Sequence, residues 1–185
     1  MATYQNSTVD TDKLILGNAK IETAASAGGS WVNLGAGIVN SFAHNMELYD
    51  VQAGNAPDPI EGINTETATI EFEMIEYDGS VLSAIQCGAV SESSTTTLST
   101  LVAGGNQTLT PRAFRITNTR MVDSTTVETI LVVYKATIQT GIAINFQSDN
   151  DANPIAVMPA TVLAKPDTSR STGSQLFTIT RTKVA

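Results

Sequence analysis

"NTETATIEFEMIEYDGSVLSAIQCG", residues 64–88, changes rhythm halfway along. Up to Tyr77 the side chains alternate: Ile70, Phe72 and Met74 fall on one side, Thr69, Glu71 and Glu73 on the other. That period of two predicts a strand with one face in a core. After Gly79 the apolar residues Val81, Leu82, Ala84 and Ile85 bunch as one face of a short helix, expected over about 79–87. Asp78 or Ser80 can cap its start, and Gly88 suits the left-handed residue after its end. The strand half also carries a ladder of carboxylates, Glu66, Glu71, Glu73 and Glu76. Such a ladder is either a catalytic device or the coat of a surface, and the rest of the chain has to distinguish them.

Working outward, turn residues punctuate a series of extended segments. "KLIL" (13–16) and "NAKIETAA" read as short strands, with "SAGGS" as a turn and "WVNLG" (31–35) as a strand or bend closed by Gly35. Residues 38–51 alternate loosely and should be extended. "QAGNAPDPIEG" contains two Gly and two Pro and reads as a loop, so a long loop is expected at about 40–63. Downstream, Thr-rich segments turn at Gly104-Gly105, and "PRAFRITNTR" (111–120) alternates. "VETILVVYKATIQTG" (127–141) is apolar and β-branched, as a central strand should be. Pro159 interrupts "IAVMPATVLAKPD", which makes that strand an edge or gives it a bulge there, because proline cannot donate to a ladder. "QLFTITRT" (175–182) is a last strand. The expectation is a mainly β fold, a two-sheet β-sandwich or partly open barrel of about eight strands with one short helix, forming a single domain over residues 1–185.

Composition agrees. The 185 residues include 26 Thr and 15 Ser, and Thr fits a pleated, half-solvated surface. Only 15% are charged and 42% are hydrophobic, as in a folded chain. The net charge of -8 is uneven. Residues 1–92 hold 13 acids against 2 Lys/Arg, whereas residues 93–185 hold 5 acids against 8 Lys/Arg. An acidic chain does not capture nucleic acid by its phosphates, but a divided one allows the acidic part of one copy to meet the basic part of the next. No apolar stretch approaches the roughly 20 residues that span a membrane. The start lacks a basic segment followed by an apolar run, so no secretion signal is expected and folding in the cytoplasm is.

Catalytic constellations are sparse. His44 is the single histidine, and pairing it with Asp50 as base and orienter lacks a nucleophile. Cys87, the one cysteine, sits among Leu82, Ala84 and Ile85 and reads as a buried thiol. No metal site or cofactor is expected: "DNDAN" (149–153) starts like a calcium loop but has Pro154 where glycine is needed and Ala160 where glutamate is needed. Glu71 and Glu73, about 7 Å apart on one strand face, have a spacing that glycoside hydrolysis permits. A sugar cleft also wants aromatic platforms, and the chain is 5% aromatic. The expectation is a non-enzyme with a wetted acidic face.

"WVNLG" near the start, a Gly/Pro loop, the "TATIEFEMIEYD" strand and a short helix occur in that order. "PRAFRITNT", "YKATIQTGIAINF" and "NPIAVMPATVLAKPDTSRSTGSQLFTIT" follow. Together, over most of residues 13–182, they resemble the major tail tube proteins of long-tailed bacteriophages, which are similar to the inner-tube protein of type VI secretion. The resemblance implies two packed sheets and a helix, six subunits to a ring, and stacked rings in which one sheet of each subunit joins a barrel around a channel. It implies a virion tail protein, assembled in the bacterial cytoplasm, whose partners are further copies of itself and other tail proteins such as a terminator, baseplate or tape measure. DNA would pass without specific binding, and no membrane is involved. On this reading Thr67, Thr69, Glu71 and Glu73 are candidates for the channel lining. Tyr49, Asp50, Asn55, Pro57, Asp58 and Pro59 are candidates for an inter-ring loop, and Arg112, Arg115 and Arg120 for basic contacts between subunits. A terminator or baseplate ring protein of similar fold, or a glycan-binding β-module, are the alternatives.

Overall fold

The computed structural model describes residues 19–35, 37–51, 60–75, 79–87, 90–95, 98–105, 108–122, 125–144 and 157–184. Ten strands and one helix run in the order β1 (Lys20–Ala24), β2 (Val32–Asn33), β3 (Gly37–Val51), β4 (Ile60–Met74), α1 (Gly79–Ile85), β5 (Val90–Thr95), β6 (Leu98–Ala103), β7 (Arg112–Val122), β8 (Thr125–Ile138), β9 (Met158–Ala164) and β10 (Phe177–Val184). Eight strands form one antiparallel sheet with the order β2-β1-β7-β8-β9-β4-β3 and β10 added to β8, while β5 and β6 form a separate hairpin. The fold is mainly β with one short helix, as the alternation predicts.

β8 organises the sheet. β7 lines one of its flanks from Thr125 to Ala136. The other flank is divided: β10 takes Thr126 to Val133 and β9 takes Ala136 to Ile138. The sheet therefore forks into a β1-β7-β8-β10 part and a β9-β4-β3 part. It also curls, since the rings of Phe72 on β4 and Phe114 on β7 have centroids 6.4 Å apart although β9 and β8 separate their strands in the ladder. Between the two parts lies the core, which includes Ile70, Phe72, Met74, Phe114, Val133 and Val162. This is a partly open barrel, since among the described residues β2 and β3 do not pair to close it.

Helix α1 buries Val81, Leu82 and Ile85 in that core. At its end Cys87 is left-handed, with a φ of 53°; Gly88 and Asp78, the expected end and cap residues, lie outside the described residues. The reason is local: in that conformation the Cys87 carbonyl accepts from the Thr110 N–H at 2.7 Å and its thiol turns inward toward the Ile85 carbonyl at 3.3 Å. Cys87 is buried, as expected, and burial pushes its thiol pKa up.

Two expectations change. The long loop at 40–63 is mostly strand, because β3 reaches Val51 and β4 begins at Ile60, making a long antiparallel hairpin. Residues 52–59 lie outside the described ones. Bulges disguise the hairpin in sequence: Asn40 and Asn64 are each extra residues in the ladder, so the alternation shifts phase at both. β5 and β6 pair with Thr95 opposite Leu98, so Gly104-Gly105 do not join them but follow β6, with φ of 140° and 85°. The strand expected at 13–16 lies outside the described residues. Pro159 stands opposite Glu73 of β4, and β8 pairs with β9 only from Val162 onward. Its missing N–H therefore falls where the strand is locally an edge, as proline demands.

Candidate functional site

In β4 the residues Ala68, Ile70, Phe72 and Met74 are buried, and the residues between them point to the opposite face of the sheet. That face carries Thr67, Thr69, Glu71 and Glu73. The register places Asn45, Ala43, Ser41 and Ile38 of β3 beside them in turn, and Leu163, Thr161 and Pro159 of β9 beside Thr69, Glu71 and Glu73. Glu71 is exposed and the other three are half-buried. The Ser41 hydroxyl donates to Glu71 Oε2 at 3.0 Å across the strand pair. β3, β4 and β9 together hold Glu47, Asp50, Glu61, Glu66, Glu71 and Glu73 and not one Lys or Arg. The result is a hydroxyl-and-carboxylate surface with negative potential and no cation of its own strands to offset it.

The carboxylate ladder is divided between faces. Glu66 lies in the row of Ala68 and Ile70, where its Oε1 is 2.8 Å from His44 Nε2. His44 in turn sets its ring edgewise against Phe177, with centroids 5.0 Å apart. The pairing imagined between His44 and Asp50 does not form: six residues of extended strand put them about 20 Å apart. Among the described residues no group of three or more His, Cys, Asp or Glu side chains is gathered as for a metal ion.

The arginines of β7 are used within the chain. Arg115 stands directly opposite Glu22 of β1. Its Nε donates to Glu22 Oε2 at 2.7 Å and its Nη2 is 2.6 Å from the same oxygen, while Lys20 Nζ reaches Oε1 at 2.8 Å. Glu22 is 5% exposed. Burial opposes its ionisation, but the hydrogen bonds from Lys20 and Arg115 and their positive charge outweigh it and lower the pKa. The Arg115 guanidinium also lies 4.6 Å from the centre of the Trp31 ring. That cation occupies the ring face a sugar would use. Arg112 Nε donates to Thr23 Oγ1 at 3.3 Å, and Thr23 donates to the Ala113 carbonyl at 3.0 Å. Arg120 differs: its Nε and Nη2 are buried and have no hydrogen-bond partner among the described residues.

Of the residues expected in an inter-ring loop, Tyr49 and Asp50 lie on β3, and Asn55, Pro57, Asp58 and Pro59 lie outside the described residues. Tyr49 covers Gly62 of β4, so closely that a Cβ at Gly62 would meet the ring at 2.6 Å. Around it Met46, Leu48 and Ile63 are exposed. Sequence reading missed these apolar side chains, although Met46 and Leu48 alternate with Glu47 in plain view. It also missed a cleft of about 560 Å³ between the 25–28 turn and the loop after β9, where the Arg170 guanidinium lies 3.4 Å from the centre of the Tyr134 ring.

No protein-family model matches this chain, and no curated protein matches it in sequence. Solved structures of similar shape are components of contractile injection systems. The cap that terminates the anti-feeding prophage tube aligns with a TM-score of 0.45 and 9% identity over 89% of this chain and 88% of its own. A chain of the anti-feeding prophage baseplate gives 0.47 and 6% over 91% and 95%. One from the PVC sheath-tube complex in its extended state gives 0.47 and 12% over 97% and 99%.

Proposed function

We propose that this chain is a structural, non-enzymatic virion tail protein. It assembles with copies of itself into rings that stack as a tail tube, and it needs no cofactor. The observation that carries the reading is the outward face of β3, β4 and β9, set with Glu47, Thr67, Thr69, Glu71 and Glu73 on strands that hold no Lys or Arg. A conduit for DNA must not hold DNA. Carboxylates repel phosphates, and a face without cations has no counterions to release on contact. The sequence resemblance to tail tube proteins supports the same role, with terminator, baseplate and tape-measure proteins as further partners. The outer edges of β3 and β10, with no strand paired to them among the described residues, favour association, because open edges invite pairing and ring closure removes them.

Electron microscopy of the purified protein tests assembly: long tubes are expected, while single rings of fixed height would indicate a terminator or baseplate ring instead. The lining is tested by replacing Glu71 and Glu73 with Lys. Tubes should still form, because both side chains leave the core untouched, and genome delivery should slow. Unaltered delivery through such tubes would remove the lumen assignment.

A further inference from the structure

The rows of side chains that build the core continue past it at one end. On β3 and β4 the row of Phe42, His44 and Ile70 runs on into Met46, Leu48 and Ile63, which are 55%, 60% and 51% exposed. On the other part of the sheet the row Ile116–Leu131–Ile179 is followed by Asn118–Thr129–Arg181 and then Arg120–Val127–Lys183. Ile179 is 57% exposed. Val39, Phe42, Ile116, Leu131 and Ile179 wall an apolar cavity of about 260 Å³ that Asn118 and Thr129 also line. It falls below the roughly 300 Å³ of the smallest metabolite pockets and suits a single side chain. One pleat repeat beyond it lies Arg120, with two buried nitrogens that have no partner among the described residues. Buried cations are ordinarily paired.

The two surfaces match. One is apolar and acidic, the other apolar and basic, and each leaves in water what the other would cover. We propose that the β3–β4 arm of one copy docks on the β7–β8–β10 end of a second copy, an aliphatic side chain of the arm entering the cavity and its carboxylates facing Arg120 and Arg181. This rests on the self-assembly reading and names the surfaces that carry it. The second copy is the occupant because the arm's own aliphatic side chains stay exposed within one chain, and the charges on arm and end are opposite.

Leu48 and Arg181 are exposed and Asp50 sits in the arm beyond the core, so their replacement leaves the core intact, which unchanged thermal melts would verify. In sedimentation velocity at low salt, Leu48→Glu alone and Arg181→Glu alone should each weaken association about tenfold or more. Asp50 and Glu61 follow Leu48 and Ile63 in the same row, whereas Glu47 lies on the other face, so mixing Asp50→Arg with Arg181→Glu should restore assembly that neither shows alone. If folded variants associate like the wild type, or the mixed pair does not recover, arm docking is wrong while self-assembly stands. A wild-type protein that remains monomeric up to millimolar concentration overturns both.

Discussion

Glu22 concentrates the electrostatics of the fold in one carboxylate. It is buried, so it is tolerable only as an ion held by Arg115 and Lys20. Its pKa is lowered on folding, and the sign of the pH effect follows. A carboxylate with a depressed folded pKa stabilises the protein above the ordinary carboxylate range and loses that contribution as pH falls through the folded value. Urea unfolding at a series of pH values should therefore show the wild type losing stability in acid more steeply than Glu22→Gln, which has no such proton to bind. Arg115→Ala should cost about 3 kcal/mol at neutral pH, the lower end for a broken buried pair because Lys20 remains. Arg115 was visible in sequence as a charge on an alternating strand. Its partner was not, because 93 residues separate them and the pair exists only once β1 docks on β7.

The arm formed by β3 and β4 is where sequence pattern and structure part. β4, β7 and β8 were readable because their apolar residues alternate or cluster and are buried accordingly. The distal half of β3 reads as extended but also falls within the loop expected at 40–63, since Met46 and Leu48 keep strand spacing yet face solvent, and the bulges at Asn40 and Asn64 break the phase. What holds that half is the ladder itself and Tyr49 laid over Gly62, an aromatic ring shielding a strand glycine. Gly62→Val puts a branched side chain where the ring stands. Hydrogen exchange should then speed up at arm amides near Tyr49 while those of β8 keep wild-type protection. Global stability should change by less than about 1 kcal/mol, because the arm lies beyond the core. Equal loss of protection in β8 would mean that arm and core unfold as one unit.

A forked, curled sheet needs something to hold its two parts together, and two ring pairs span the gap. Phe72 and Phe114 meet in the core, while Phe42 and Phe177 meet edge to face at 5.1 Å where β3 approaches β10. Their worth should differ. Phe114 is fully buried, and Phe114→Ala should cost about 3–5 kcal/mol through lost burial and the cavity left behind. Phe42 and Phe177 are half-buried and should cost less singly, with a coupling of about 0.5–1.5 kcal/mol in a double-mutant cycle. A zero coupling would mean the parts are joined through β8 and β9 alone. The distinction bears on assembly, because Phe42 stands between the core and the arm and also walls the apolar cavity. If the ring pair sets the angle of the arm, Phe42→Ala should weaken self-association by more than its stability cost accounts for. Sedimentation at temperatures where the variant is fully folded would measure this, and association equal to wild type would show that the arm finds its angle without the pair.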